Sequence, residues 1–107
     1  METRPVLDTS ALMDIKKGLT TIFSIVEYPK SISYDLEVLW PEKEDFILAI
    51  ELMSVLFERG KPIPAIDVLI ASMCLNRKLE LKTGDKHFSN IKDIRIDFQV
   101  VIEQAKK

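Results

Sequence analysis

Four acidic residues each fall at or near the end of a predicted strand or helix. They are Asp8, Glu27, Asp67 and Asp85. Carboxylates that share one site repel each other, and a divalent cation relieves that repulsion. Hard oxygen ligands without a His and Cys set favour Mg²⁺ or Mn²⁺ over Zn²⁺. Because such an ion lowers the pKa of a bound water and stabilises charge on a phosphodiester, the chemistry predicted is metal-dependent nuclease chemistry.

Each of these acids also has an ordinary structural explanation. Asp8 in "VLDTS" can cap the helix that follows. Glu27 follows Ser24 by three residues, as in a capping box. Asp85 after Gly84 suits a turn or a cap, and Asp67 suits the first turn of a helix or a buried ion pair. Taken singly, the structural explanation is the more common one for each residue, so the functional hypothesis depends on the four occurring together.

The composition is that of one small globular domain, predicted to span residues 1–107. A net charge of −2 gives no overall basic field for nucleic acid. The single cysteine excludes a disulfide within the chain and suits the reducing cytoplasm. The sequence has no apolar signal segment and no apolar run of about 18 residues, so we expect a cytoplasmic protein without a membrane span.

Predicted strands and helices alternate along the chain. The strands are predicted at 4–8, 20–23, 34–39, 80–82 and within 94–101. The helices are predicted at 9–17, where Gly18 stops the helix, and at 24–31, 41–59 with Pro41 opening it, 63–78 and 85–90. This alternation favours an α/β fold with a mainly parallel sheet.

The predicted elements bring the acids towards one edge of that sheet. Asp8 and Asp85 come at or just beyond the carboxyl ends of strands, whereas Glu27 and Asp67 are placed in the first turns of helices. Strand carboxyl ends and helix N-termini meet at one edge of a parallel sheet. We therefore expect all four acids to face one cleft, with Asp67 buried among apolar residues as a metal ligand.

Two stretches of the sequence resemble PIN-domain proteins, most closely the VapC toxins of VapBC toxin–antitoxin pairs. They are "VLDTSALM" and, more specifically, "GKPIPAIDVLIASMCLNRKLELKTGDKHF"; "VLWPEKEDFILAIELM" fits more weakly. The resemblance covers roughly residues 4–101. It implies a PIN-like three-layer sandwich with a central, mainly parallel sheet of four or five strands. It also implies Mg²⁺- or Mn²⁺-dependent cleavage of RNA, and a cognate antitoxin whose basic residue enters the acidic cleft.

By position, Asp8, Glu27, Asp67 and Asp85 match the acidic quartet of that family. Thr9 or Ser10, and Thr83, match its polar helper residues. Two features depart from the pattern. The spacing from Asp8 to Glu27 is short, and His87 stands where many relatives carry a further acid; it is a candidate phosphate contact, a ligand replacement or an inert surface residue.

Several residues are candidates for holding RNA. Lysines close in sequence to the acids are Lys16, Lys17, Lys30, Lys82 and Lys86, and the default explanation for them is a solvated surface. Lys86 is the strongest candidate because it adjoins Asp85. Tyr28 and Trp40 are candidates for stacking on a base, or for the core or its rim.

The apolar residues of the predicted helix 41–59 extend beyond one core-facing stripe. The helix is therefore expected to lie deep in the core or to be shared with a second subunit in a homodimer.

Three functions remain open. The first is a metal-dependent endoribonuclease. The second is a catalytically degenerate PIN-like module that binds a protein or RNA without cleaving. The third is an unrelated α/β domain such as a phosphoacceptor regulator, although "VLDTS" lacks the adjacent acid that this class requires.

Overall fold

A computed structural model describes residues 4–103 of the chain. Its strands are β1 (Val6–Leu7), β2 (Lys17–Thr21), β3 (Asp35–Leu39), β4 (Leu81–Thr83) and β5 (Val100–Ile102). Its helices are α1 (Thr9–Asp14), α2 (Ile22–Glu27), α3 (Lys43–Glu58), α4 (Ala65–Arg77) and α5 (Ser89–Ile94), with 3₁₀ turns at Pro29–Ser33 and Lys86–Phe88. No helix within this part of the chain is long and apolar enough to cross a membrane.

The strands form one sheet in the order β3-β2-β1-β4-β5, and every neighbouring pair is parallel. The predicted α/β fold with a parallel sheet is therefore confirmed. The chain builds outward from β1 to β2 and β3, then crosses to β4 on the other side of β1. The strand order thus reverses at β1, and open α/β sheets bind ligands beyond the strand carboxyl ends at such a point.

Helices cover both faces of the sheet because side chains alternate along each strand. Val6 belongs to the main core, which includes buried residues of α3, α4 and α5. Its neighbour Leu7 belongs to a second cluster with Ala11 and Leu12 of α1. The central strand is therefore apolar at consecutive positions, and the three-layer sandwich is confirmed.

A buried ion pair joins the start of α3 to the end of α4. The Asp45 side chain is 1% exposed. It accepts hydrogen bonds from Arg77 Nη1 at 2.9 Å and from Asn76 Nδ2 at 2.9 Å. It also accepts one from the Glu42 backbone at 2.7 Å, which fixes the first turn of α3. These two helices pack together over the main core.

The prediction for the second strand was wrong by several residues. The first helix ends at Asp14, and Gly18 lies inside β2 with a φ of +129° instead of stopping a helix. Ile22 and Phe23, predicted as strand, begin α2 because Thr21 caps that helix, with the Ser24 amide donating to Thr21 Oγ1 at 3.3 Å. The cap overrides the β propensity of these two residues.

The position predicted for Glu27 within its helix was also wrong. Glu27 is the last residue of α2, so it lies in no first turn and forms no capping box with Ser24. The α-helix predicted at 24–31 therefore ends earlier, and Pro29 begins a 3₁₀ turn.

Several further bounds differ from those predicted. The helix predicted at 85–90 is a 3₁₀ turn, Lys86–Phe88, that leads into α5. Helix α3 begins at Lys43 after a cap at Glu42, whereas Pro41 was expected to open it. Ile94 ends α5, and the last strand begins only at Val100.

Candidate active site

The carboxyl ends of β1 and β4 lie side by side because these strands pair with each other. Asp8 follows β1 directly, and Asp85 follows β4 after one intervening residue, Gly84. Both acids therefore stand at the edge where the strand order reverses. The sequence predicted both acids at this edge, where the strands have their carboxyl ends.

Asp8 is a buried carboxylate with three hydrogen-bond donors, and it is 3% exposed. Its Oδ1 accepts from the Ala11 amide at 3.0 Å, which caps α1, and from Ser10 Oγ at 2.8 Å. Its Oδ2 accepts from Thr83 Oγ1 at 2.6 Å. Burial raises the pKa of Asp8 above its ordinary value, and the charge of Asp85 adds to this, although the three hydrogen bonds act in the opposite direction.

Two hydroxyl groups link the loops after β1 and β4. Ser10 Oγ accepts from the Gly84 amide at 2.8 Å, and Thr83 Oγ1 accepts from the Asp85 amide at 2.9 Å. A Cβ atom on Gly84 would lie 3.4 Å from Ser10 Oγ, so the absence of a side chain there allows the close approach. The two loops are thereby fixed relative to each other around Asp8.

Glu27 is exposed and accepts a hydrogen bond from Thr9 Oγ1 at 2.6 Å. The sequence offered Thr9 or Ser10 as a single helper for the first acid. In the structure, Ser10 contacts Asp8 and Thr9 contacts Glu27, so the two hydroxyls serve different acids. Thr9 and Ser10 both lie in the first turn of α1. The sequence pattern therefore does not predict which hydroxyl contacts which acid.

Asp67 lies in the first turn of α4, as predicted, but it is partly exposed instead of enclosed by apolar residues. No side-chain hydrogen bond or ion pair within residues 4–103 involves its carboxylate. Burial raises the pKa of Asp67 to about 6, and the negative charges of Asp85, Glu27 and Asp8 contribute in that order. All three other acids therefore act electrostatically on Asp67.

Asp85 caps the 3₁₀ turn that follows β4. Its Oδ1 accepts from the His87 amide at 2.9 Å and is 2.8 Å from His87 Nδ1. The sequence had suggested His87 only as a phosphate contact, a ligand replacement or an inert surface residue, so this contact with Asp85 was not predicted.

The remaining candidates lie at the surface. Lys86 is exposed, as are Lys16, Lys17 and Lys30, whereas Lys82 forms an ion pair with Glu103 at 3.4 Å. The Tyr28 ring packs edge-on against Tyr34. The Trp40 side chain is 66% exposed, which leaves its ring open to stacking.

The donor chemistry of this edge fits a hard divalent cation. Its acids are carboxylates that repel one another at Asp67, which is the condition that a bound cation relieves. Within residues 4–103, no three His, Cys, Asp or Glu side chains already stand in the arrangement of a metal site. Cys74 is fully buried, and burial raises the pKa of its thiol to about 12, so it offers no thiolate.

Three solved structures of VapBC complexes contain chains with a similar fold. The DNA-bound VapBC from Salmonella typhimurium matches with a TM-score of 0.78 and 15% identity, over 94% of this chain and 98% of that chain. VapBC-5 from Mycobacterium tuberculosis matches with a TM-score of 0.72 and 21% identity, over 94% and 98%. VapBC-1 from nontypeable Haemophilus influenzae matches with a TM-score of 0.71 and 20% identity, over 91% and 96%.

These likenesses cover nearly the whole of both chains and show the fold. The predicted PIN-like fold of the VapC type is therefore confirmed. No protein-family model and no curated protein sequence matches the chain.

Proposed function

We propose that this chain is a Mg²⁺- or Mn²⁺-dependent endoribonuclease of the PIN/VapC toxin type. The observation that carries the proposal is the hydrogen-bonded connection between β1 and β4 through Asp8, Ser10 and Thr83. It holds a buried carboxylate at the point where the strand order reverses. An N-cap alone requires only the bond from the Ala11 amide, so the two additional hydroxyl donors favour a further role for Asp8.

The proposed metal ligands are Asp8, Glu27, Asp67 and Asp85. When bound, a divalent ion supplies a more acidic water and stabilises the charge that develops on a phosphodiester. Thr83 and Ser10 orient the Asp8 carboxylate, and Thr9 orients that of Glu27. Such outer hydrogen bonds fix ligand geometry before the ion arrives.

Asp67 supports the proposal in a different way. A partly buried carboxylate without a hydrogen-bond partner is unfavourable in the folded chain, and its pKa of about 6 reflects that cost. The negative charges that add to this rise in pKa are those of the three other proposed ligands. Repulsion among them is relieved by a positive charge, which makes the site selective for a cation.

The substrate proposed is single-stranded RNA. Lys86 adjoins Asp85 and is exposed, so it is placed to contact a phosphate near the acids. Trp40, whose ring is exposed, is proposed to stack on a base. The chain is further proposed to act in the cytoplasm as one domain over residues 1–107, of which 1–3 and 104–107 lie outside the described residues.

The solved chains that share this fold come from complexes named VapBC. We therefore also propose a cognate antitoxin partner. A homodimer is proposed separately, on the apolar surface of α3.

The test is cleavage of a labelled single-stranded RNA in Mg²⁺, Mn²⁺ or EDTA. We expect cleavage that requires the metal and is lost in Asp8→Asn. Asp14→Asn is the matched control, because Asp14 is an exposed acid on the same short helix. Cleavage that persists in EDTA or in folded Asp8→Asn would exclude this mechanism, and metal-independent RNA binding without cleavage would favour the degenerate module.

A further inference from the structure

The Asp85 carboxylate is held from one side by a single residue. Both hydrogen bonds to Oδ1 come from His87, one from its backbone amide at 2.9 Å and one involving Nδ1 at 2.8 Å. Within residues 4–103, Oδ2 of Asp85 accepts no hydrogen bond. One oxygen is therefore fixed and the other is available to a ligand.

The tautomer of His87 follows from this contact. An ionised carboxylate only accepts hydrogen bonds, so Nδ1 must carry the proton. Nδ1–H is present in both the imidazolium and this neutral tautomer, so the contact needs no change of protonation. The Nε2 atom takes no part in it.

His87 contributes little else to the fold. Its side chain is 65% exposed, whereas the neighbouring Phe88 is fully buried and anchors the 3₁₀ turn in the main core. Removal of the imidazole therefore leaves the core and the backbone cap of the turn intact. What is lost is the second hydrogen bond to Asp85.

We infer that His87 is a positioning residue that holds Asp85 by Oδ1 and leaves Oδ2 to a divalent cation. This inference rests on the proposed function. Without the Nδ1 contact, the Asp85 side chain samples more rotamers, and ordering it again costs binding free energy. Loss of a comparable outer contact lowers metal affinity by about 10- to 100-fold in characterised metal sites.

Two substitutions separate the roles of the two ring nitrogens. His87→Asn keeps an N–H donor at nearly the position of Nδ1 and lacks Nε2. His87→Gln carries its amide at nearly the position of Nε2 and lacks the Nδ1 donor. His87→Ala removes both. A role through Asp85 predicts rescue of Mn²⁺ affinity by Asn, whereas direct contact of the ring with the cation through Nε2 predicts rescue by Gln.

The experiment is calorimetric titration of Mn²⁺ alone into the full-length chain and these three variants, with thermal melting in EDTA to confirm folding. We expect the Mn²⁺ dissociation constant to rise about 10-fold in His87→Ala and His87→Gln and to stay within about twofold in His87→Asn. Melting temperatures in EDTA should agree. Equal affinities in all four proteins, or rescue by Gln alone, would overturn the inference.

The outcome for the unaltered chain separates this inference from the proposed function. Binding of Mn²⁺ with metal-dependent RNA cleavage, but equal affinity in every variant, rejects only the role of His87. If the folded, unaltered chain binds no Mn²⁺ and cleaves no RNA, both fail together.

Discussion

Asp8 combines two tasks that the sequence presents as alternatives. Its Oδ1 caps α1 through the Ala11 amide, while its Oδ2 accepts from Thr83 on another strand. A cap explains why an acid is tolerated directly after a buried strand. The second bond fixes the other carboxylate oxygen to a neighbouring strand, which a cap alone does not require.

The Thr83 hydroxyl can be tested by a nearly isosteric substitution. Thr83→Val leaves Oδ2 of Asp8 and the amide of Asp85 without their present partner, and Thr83 is 1% exposed. We expect a loss of about 1–3 kcal/mol in unfolding free energy. We also expect metal-dependent cleavage to fall about 10-fold or more.

Thr83→Ser is the control for that variant, because it keeps the hydroxyl. Denaturant unfolding and RNA cleavage should both return close to those of the unaltered chain. Equal stability and cleavage in Thr83→Val would show that this hydrogen bond does not support the site.

Substitution of Asp67 is expected to raise stability, whereas Thr83→Val is expected to lower it. Its carboxylate is partly buried among like charges, so Asp67→Asn should raise the free energy of unfolding at pH 7. The gain should be on the order of 1 kcal/mol, since solvent screening reduces the effect at a partly exposed site. Cleavage should be lost in the same variant, so a stabilised and inactive protein is the expected result.

The pH dependence of this gain follows from the pKa of Asp67. The unfolded chain releases the proton near the ordinary value of 3.8, whereas the folded chain holds it up to about 6. Stability therefore decreases as pH rises between these values, and the advantage of Asn should disappear near pH 4. Denaturant unfolding at pH 4 and pH 7 measures this; a destabilised variant at pH 7 would contradict it.

At the scale of the elements, a helix cap sets a boundary that the apolar pattern of the sequence does not predict. The two long helices, and with them the first-turn position of Asp67, were predicted to within two residues at each end because each is a long apolar segment of helical length. The structure of segment 17–27 was not predicted correctly, because the pattern of "TTIFSIVE" fits a strand and a helix equally well. The hydroxyl of Thr21 caps α2, so the helix begins at Ile22.

In the candidate site too, some features could be predicted from the sequence and others could not. Asp8 and Asp85 were predicted at strand carboxyl ends from the strand boundaries alone, and both residues follow the strands β1 and β4, which pair with each other. Contacts between distant loops, such as Ser10 with Gly84 and Thr83 with Asp8, depend on packing geometry that periodicity does not encode. The Asp85–His87 contact was local enough to be suspected from an Asp two residues before a His in a turn.

The ion pair between α3 and α4 provides a test of element packing. Burial alone would raise the pKa of Asp45, but hydrogen bonds from Arg77, the Glu42 backbone and Asn76 outweigh it, so the pKa is lowered. Asp45→Asn leaves Arg77 without its buried counter-charge. We expect a loss of about 3 kcal/mol in unfolding free energy, measured by denaturant unfolding.

The control is Glu42→Gln, because the Glu42 side chain is 76% exposed and lies 3.6 Å from Arg77. That variant should change stability by less than about 0.5 kcal/mol. The contribution of Asp45 is present above its ordinary pKa of 3.8 and is lost as pH falls through the lowered folded value. Asp45→Asn should therefore show a shallower loss of stability below pH 4; an unchanged acid profile would contradict this account.

At the scale of the whole molecule, reversal of strand order places the acids, and α3 exposes a separate apolar surface. The sequence left open whether this helix is deeply buried or shared with a second copy. The structure excludes deep burial, because Ile50 is 71% exposed and Phe57 is 63% exposed. Phe46, Ile50, Met53 and Leu69 line an apolar groove of about 270 Å³ between α3 and α4.

This surface is the one that we propose a second copy of the chain covers, and Ile50→Glu tests it. A carboxylate in this groove would have to be desolvated in a dimer interface, which is unfavourable. We expect the dissociation constant of the dimer to rise at least 10-fold in sedimentation velocity experiments, without loss of folded structure. Ile96→Glu is the matched control, because Ile96 is 87% exposed and lies outside α3. A monomeric parent chain, or a dimer equally stable in Ile50→Glu, would show that two copies do not meet at this surface.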